Sequence, residues 1–353
     1  MVEYSDCSLA LHDLTIQKLT LSRREKIKDQ PLATADNVSE QVVLGAIARF
    51  ANVLGDPWSV QILRDIFLGV TRFGAFRERL GITKQTLANR LRDFQAHGIL
   101  ELQPYRERPP RSEYKLTEKG RDLGDFAMMI WTWQSRWAGM DSMLPRRLIH
   151  RSCGSIVVPQ MVCQTCRAPV EIGDISLGHT DGLLSPPALA DRGRRWTLLK
   201  RPGSSDPERQ LLNGTYILGD RWTNMLLGGV LFGIRSFDEM VGAIGISTNI
   251  LSHRLKVCTE AGFLGGPAYN PETRTYDYRP NRMTNDLFPL FLTIARWSER
   301  WLTPDGVARS SWHHDLCGHD LTPVVTARCC AEPLSIGDLT RKDSPDYRFE
   351  APQ

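Results

Sequence analysis

A shift of 164 residues lays the second half of this chain on the first without a gap, and that register limits what the chain can fold into. Gly55-Asp56-Pro57-Trp58 falls on Gly219-Asp220-Arg221-Trp222, and Gly81-Ile82 on Gly245-Ile246. Leu87, Arg90 and Leu91 fall on Leu251, Arg254 and Leu255, and Tyr114 on Tyr278. Trp133 and Trp137 fall on Trp297 and Trp301, and His150, Cys153 and Cys166 on His314, Cys317 and Cys330. Aromatic and cysteine landmarks held in one register mark the duplication of a two-part unit. The period is far longer than the roughly 20–45 residues of a solenoid repeat, so each copy is expected to fold by itself.

Composition narrows the classes. At roughly 100–200 residues per domain, 353 residues make two or three domains. With 41% hydrophobic and 24% charged residues the chain is neither wholly disordered, nor collagen-like, nor a disulfide-dense miniprotein. Its longest apolar run, Met225 to Ile234, is half of the ~20 residues that a membrane helix needs. Glu3, Ser5 and Asp6 interrupt any apolar leader. A cytoplasmic protein with no membrane partner is expected. A net charge of +4 does not by itself argue for nucleic acid; its distribution has to.

Within the first copy, Glu40 to Leu54 and Trp58 to Leu68 read as amphipathic helices. Arg72 to Leu80 is a short helix broken by Gly81, and Thr83 can cap a following helix, Lys84–Ala96, that ends at Gly98. Two helices around a tight Gly turn make a helix-turn-helix. Ile99 to Tyr105 and Ser112 to Leu116 are strand-like, and the basic loop Arg106 to Arg111 joins them as a hairpin wing. One last helix is expected from Lys119 to Trp137. On the Lys84 helix, Leu87, Leu91 and Phe94 share one face and Gln85, Asn89 and Arg92 the opposite one. Gln and Asn can pair with adenine edges, and Arg or Lys with guanine edges or phosphate. From Arg72 to Arg92 six bases face one acid, Glu78. Candidate DNA contacts are Arg72, Thr83, Lys84, Gln85, Asn89 and Arg92, with Arg108 and Arg111 on the wing. The plain alternative is a solvated helix face.

The second copy is electrically different. Ser236 to Lys256 carries two bases and two acids, and its helix offers Thr248, Asn249, His253 and Lys256. Phosphate neutralisation supplies most non-specific affinity, so this copy is expected to grip DNA more weakly or to serve as a structural partner.

The run Gly55-Asp56-Pro57-Trp58, Ile62-Leu63-Arg64, Arg72-Phe73, Gly81-Ile82-Thr83, Gly98-Ile99-Leu100 and Arg108-Pro109-Pro110-Arg111 through Gly120 resembles the HxlR family of bacterial winged-helix regulators. The likeness spans about Ala46 to Trp137, and about Leu211 to Trp301 more loosely, without the Pro-Pro wing. The resemblance implies DNA binding by Lys84–Ala96 in a major groove with the wing beside it, and dimers built from the first and last helices of each domain. Many members carry a redox-active cysteine just before the first helix; here that stretch is Asp36-Asn37-Val38-Ser39. Independently, Leu123, Phe126, Ile130, Trp133 and Trp137 form a 3-4 seam that Leu287, Leu290, Ile294, Trp297 and Trp301 repeat. The two seams are expected to pair within one chain as a covalent pseudo-dimer, the alternative being that each packs on its own domain.

Eight cysteines in a reducing compartment suit ligands better than disulfides. His150-x2-Cys153 followed by Cys163-x2-Cys166 offers four donors for one tetrahedral structural zinc in a zinc-ribbon-like hairpin. In the second copy His314, Cys317 and Cys330 remain, but Ala327 replaces the first cysteine of the pair. A metal there needs a rearranged set that draws in Cys329. Buried thiols without metal, or a redox dithiol, remain alternatives.

The expected fold is mainly α with small β-hairpins (α+β), as two winged helix-turn-helix domains, each followed by a small Cys module. The boundaries are an arm over 1–37, domain 1 over 38–141, module 1 over 147–176 and a linker over 177–205. Domain 2 spans 206–304, module 2 spans 311–340 and a tail spans 341–353. The expected function is a sequence-specific DNA-binding transcriptional regulator on an asymmetric operator, with double-stranded DNA as partner and zinc as structural cofactor. A homodimer and a small-molecule effector are further candidate partners. A protein-interaction scaffold that keeps the fold is the alternative. No Walker loop, serine elbow or dinucleotide fingerprint supports an enzyme.

Overall fold

A computed structural model describes residues 33–34, 37–108, 111–137, 145, 147–180, 182–184, 189 and 219–342. Most of the expected arm, linker and tail, and the wing-tip Pro109-Pro110, lie outside the described residues. The first copy runs β1 (Ala33–Thr34), α1 (Asn37–Leu54), α2 (Pro57–Phe67), α3 (Phe73–Leu80) and α4 (Lys84–Ala96). It continues with β2 (Leu100–Arg106), β3 (Arg111–Leu116), α5 (Glu118–Arg121) and α6 (Gly124–Trp137). Then come β4 (Arg147–His150), β5 (Ile156–Val157), β6 (Pro159–Cys163) and β7 (Ile175–Leu177). The second copy repeats this order as α7 (Arg221–Leu231), α8 (Phe237–Ile244), α9 (Thr248–Glu260), β8 (Ala268–Asn270), β9 (Thr275–Asp277), α10 (Arg282–Asn285) and α11 (Phe288–Trp301). It ends with β10 (Trp312–His314), β11 (His319–Asp320), β12 (Pro323–Ala327) and β13 (Leu339–Lys342). The counterpart of α1 in this register, residues 201–218, lies outside the described residues.

Local chemistry sets these bounds. Asp56 caps α2 by accepting from the Trp58 and Ser59 amides, with Pro57 at the first helical position. Gly81 and Gly245 close α3 and α8 at φ +61° and +69°, where a Cβ would be strained. Thr83 caps α4 at the Thr86 amide. The expected single helix from Lys119 to Trp137 is instead two, α5 and α6, broken at Asp122-Leu123. Thr117 caps α5 and also donates its hydroxyl to the Gly98 carbonyl at 2.6 Å. That first turn is thereby pinned to the start of β2, and α6 sets off afresh.

The copies contact each other through equivalent residues. β6 pairs antiparallel with β12, its own repeat equivalent, with Met161 opposite Val325 at the centre and Pro159 and Cys163 opposite Ala327 and Pro323. His150 on β4 pairs with Leu339 on β13, and His314 on β10 with Ile175 on β7, the same contact made twice. Trp133 Nε1 donates to the Met283 carbonyl at 2.8 Å, and Trp297 Nε1 to the Lys119 carbonyl at 3.0 Å. Trp137 Nε1 donates to Asp286 at 2.7 Å, and Trp301 Nε1 to Asp122 at 2.6 Å. Arg136 and Arg300 bridge the same two carboxylates. Reciprocity of this kind, i with j and j with i, is the signature of an isologous interface.

The seam tryptophans therefore reach across, while α1 packs against both α7 and α11. Phe50 of α1 meets Phe126 at 5.1 Å and Trp297 at 5.8 Å. Sequence periodicity allowed each copy its own core. The structure has one buried cluster running from Val43 through Phe126 and Trp133 to Phe291 and Leu334.

Asp125, on α6, is largely buried, and burial raises its carboxyl to about 6 despite the attraction of Arg296, with Asp122 adding repulsion. The native chain therefore holds this proton more tightly than the unfolded chain does. Stability present below about pH 4 is lost as the pH rises through about 6. Asp125→Asn should flatten that stretch of the stability profile and gain about 1–3 kcal/mol at pH 7, read from urea unfolding at both ends of the window.

Candidate nucleic-acid interface and metal clusters

In the first copy, α3, Gly81 and α4 form the helix-turn-helix, with Leu87, Leu91 and Phe94 of α4 buried. Lys84, Gln85 and Arg92 are exposed and Asn89 is half-buried. Gln85 donates to the Asn89 side-chain oxygen at 3.0 Å and Arg92 to the same oxygen at 3.4 Å, so the three polar heads form one row. Thr83, at the cap, is also exposed. Arg108 and Arg111 are exposed on the β2–β3 wing. Arg72 lies 4.6 Å over the ring of Tyr105, near the tip end of β2. The face thus presents hydrogen-bonding groups on the helix, flanked by guanidinium groups.

The sequence count of six bases overstates the field. Arg79 pairs with buried Asp65 at 3.2 Å, and Arg90 with Asp56 at 3.0 Å and Asp93 at 2.9 Å. Arg72, Arg77, Lys84 and Arg92 remain as exposed cations. The Asp56–Arg90 pair does something the sequence reading missed: the carboxylate that caps α2 also holds α4 in place. Asp220 caps α7 and accepts from Arg254 of α9 at 2.7 Å. Retention of both the Asp and the Arg through the duplication was the available signal.

In the second copy Thr248, Asn249, His253 and Lys256 are exposed on α9, and Lys256 lies 3.8 Å from Glu260. Its wing presents two exposed tyrosines, Tyr269 and Tyr276, with ring centroids 5.5 Å apart. A capping box of Ser236 and Glu239 starts α8, where the first copy has Arg72 and no side-chain cap.

All eight predicted metal ligands fall into two clusters, but not the expected two. His150 and Cys153 meet Cys329 and Cys330, while Cys163 and Cys166 meet His314 and Cys317. The expected site of His150, Cys153, Cys163 and Cys166 does not form, because the β6–β12 pairing carries each cysteine turn to the other copy's histidine. Each module keeps a short hairpin, β4–β5 or β10–β11, but the strand leading to its cysteine turn belongs to a ladder shared by both copies. Hydrogen bonds from Ser155 bring the exposed Cys153 thiol down to about 6, and burial lowers the His314 imidazole, keeping it neutral. Those two effects favour metal-binding protonation states, whereas burial pushes the Cys166 thiol up to about 11 and the Cys329 thiol up to about 12, so these two would lose their protons only on binding a metal. Either four-donor cluster could hold a metal ion.

A small open apolar cleft lies between α2 and α6, lined among others by Leu63, Phe67, Met128, Trp131 and, from the second copy, Ile336 and Leu339. Trp131 lines it, whereas Trp133 and Trp297 are committed to the contact between copies.

The HxlR-like helix-turn-helix family pattern matches residues 53–142 and 217–306, offset by the repeat's own 164 residues. The chain belongs to the HxlR family. It is 36% identical over 121 residues to Rv3095 of Mycobacterium tuberculosis, an uncharacterized HTH-type transcriptional regulator, covering 34% of this chain and 77% of that one. It is 34% identical over 111 residues to the HTH-type regulator sll1512 of Synechocystis, covering 31% and 82%. Among solved structures, PA1607, a proposed transcription factor, is 37% identical over 34% of this chain and 84% of its own, at a TM-score of 0.30. HxlR membership makes this a member of a transcriptional regulator family. No helix among the described residues is long and apolar enough to cross a membrane.

Removing the Asp56 carboxylate should leave the Arg90 guanidinium with Asp93 as its remaining acidic partner, and α2 uncapped. Asp56→Ala is expected to destabilise the chain by about 2–4 kcal/mol in urea unfolding, and Asp56→Asn by less, since it keeps the cap.

Proposed function

We propose that the protein is a sequence-specific DNA-binding transcriptional regulator whose two HxlR-like domains act as an intrachain pseudo-dimer on an asymmetric operator. The observation that carries this reading is the polar row of exposed Lys84, Gln85 and Arg92 with half-buried Asn89, on a helix held by Asp56 beside a basic wing. Gln85 and Asn89 read base edges in the major groove; Arg72, Arg92, Arg108 and Arg111 neutralise phosphate. Thr83 and Lys84 face the backbone at the helix start. Thr248, Asn249, His253 and Lys256 form a second, more weakly charged head. The reciprocal tryptophan and strand contacts support the pseudo-dimer and the domain boundaries read from the repeat. The apolar cleft suits a small apolar effector. Structural zinc, held by the eight Cys and His ligands, completes the reading, and the protein acts in the cytoplasm, where the DNA is.

Identical subunits read palindromes because their symmetry matches the site. Two unequal heads suit an asymmetric site, with half-sites about 34–36 Å apart when both engage. The near-neutral second head favours one alternative, a scaffold that keeps the fold with little DNA binding.

A salt titration of binding to the DNA upstream of its own gene, against an unrelated fragment, separates the two readings. The regulator binds selectively with a steep salt slope; equal or negligible binding to both fragments favours the scaffold. Asn89→Ala should lose about 1–3 kcal/mol of discrimination at one base pair. Arg108→Ala or Arg111→Ala should weaken all sequences alike and flatten the salt slope by about 0.9. A footprint of one chain on a symmetric palindrome would rule out the asymmetric operator.

A further inference from the structure

Deepening the zinc reading above, we infer that the chain binds two zinc ions whose ligand sets are exchanged between the copies, so that each metal bonds the first copy to the second. One site takes His150 and Cys153 from the first copy and Cys329 and Cys330 from the second; the other takes Cys163 and Cys166 with His314 and Cys317.

The distances fit the metal. With Zn–S of about 2.3 Å and Zn–N of about 2.0–2.1 Å, a tetrahedral site has S···S edges of about 3.8 Å and S···N edges of about 3.6 Å. In the first cluster Cys153 Sγ lies 3.5 Å from Cys329 Sγ and 3.5 Å from His150 Nδ1. Cys330 Sγ lies 3.4 Å from the same nitrogen and Cys329 Sγ 3.9 Å from Cys330 Sγ. In the second, Cys163 and Cys317 are 4.0 Å apart, and His314 Nδ1 lies 3.4 Å from Cys166 and 3.2 Å from Cys317. These sulfurs are far beyond the ~2.05 Å of a disulfide. Three thiolates and one imidazole in a tetrahedron suit zinc, and four filled positions make it structural.

The turns that present the ligands are built for that work. Arg167 and Ala331, the residues after Cys166 and Cys330, both adopt left-handed conformations, φ +61° and +58°, unusual for residues with a Cβ. Gly154 and Gly318 do the same after Cys153 and Cys317. The second copy has lost one thiol, since Ala327 stands where Cys163 would predict a cysteine, and it has gained one two residues on. Cys329, at the position of Thr165, reaches the same cluster. Loss and replacement within one four-donor set is what retention of a metal requires.

The test counts zinc per chain in the purified full-length protein. Wild type should hold two. Cys153→Ser with Cys329→Ser should keep one, because both changes fall in one site; Cys153→Ser with Cys163→Ser should lose both. Sites formed within each copy give the opposite pattern, and that result would overturn the exchange while leaving the zinc reading intact. Protein that neither carries nor takes up zinc would overturn both. Where a variant fails to fold, stepwise chelation of wild type with alkylation and mass spectrometry decides. Cys153, Cys329 and Cys330 should become reactive as one group and Cys163, Cys166 and Cys317 as another. Release of Cys153 together with Cys163 and Cys166 would refute the exchange.

Discussion

An antiparallel strand pair between a segment and its own repeat equivalent has a fixed consequence: it creates a local two-fold axis. Here that axis passes between Met161 and Val325, where β6 meets β12. Such a ladder cannot slip by one residue without turning its buried side chains outward, so the register is firmly set. Once it is set, the histidine strands β4 and β10 must find β13 and β7, the cysteine turns must cross to the other copy, and the last helices lie where their tryptophans can reach the opposite carbonyls. The helix-turn-helix heads are hung on this frame; they do not make it.

The heads share a skeleton and differ in what they show to solvent. Both use a capping aspartate to hold the second helix of the motif through an arginine, and both turn at a left-handed glycine. The difference is concentrated at a few exposed positions. Where the second copy starts α8 with Ser236 in a capping box, the first has Arg72, which caps nothing but presents a cation beside the wing. A side-chain cap contributes about 1 kcal/mol. The first copy goes without that local stability and places an exposed cation at the same position instead.

Local features were legible in the sequence. The bounds of α4 follow from Thr83 before it and Gly98 after it, and the buried face from Leu87, Leu91 and Phe94. The break between α5 and α6 was not, because the apolar spacing of the expected helix runs on while Thr117 ties its first turn elsewhere. The metal ligands were all legible as residues and wrongly grouped as sites. Nearness along the chain favoured Cys163 as the partner of Cys153, whereas the partner is fixed by a strand register that no local pattern encodes. The internal pairing of Arg79 and Arg90 was hidden for a similar reason: charge counting does not say which cations face inward.

The pairing of β6 with β12 also has a history within each act of synthesis. The two strands begin at residues 159 and 323, so at roughly 5–20 residues per second the first waits on the order of 10–30 s for the second to be made. During that interval β6 is an open edge of the kind that recruits other chains. Its native partner is a copy of its own segment, so the nearest imitation is the β6 of a neighbouring nascent chain on the same messenger. Fusing two copies into one polypeptide keeps the right partner on the same chain but makes it late, and the spacing of ribosomes along the message then bears on which partner arrives first.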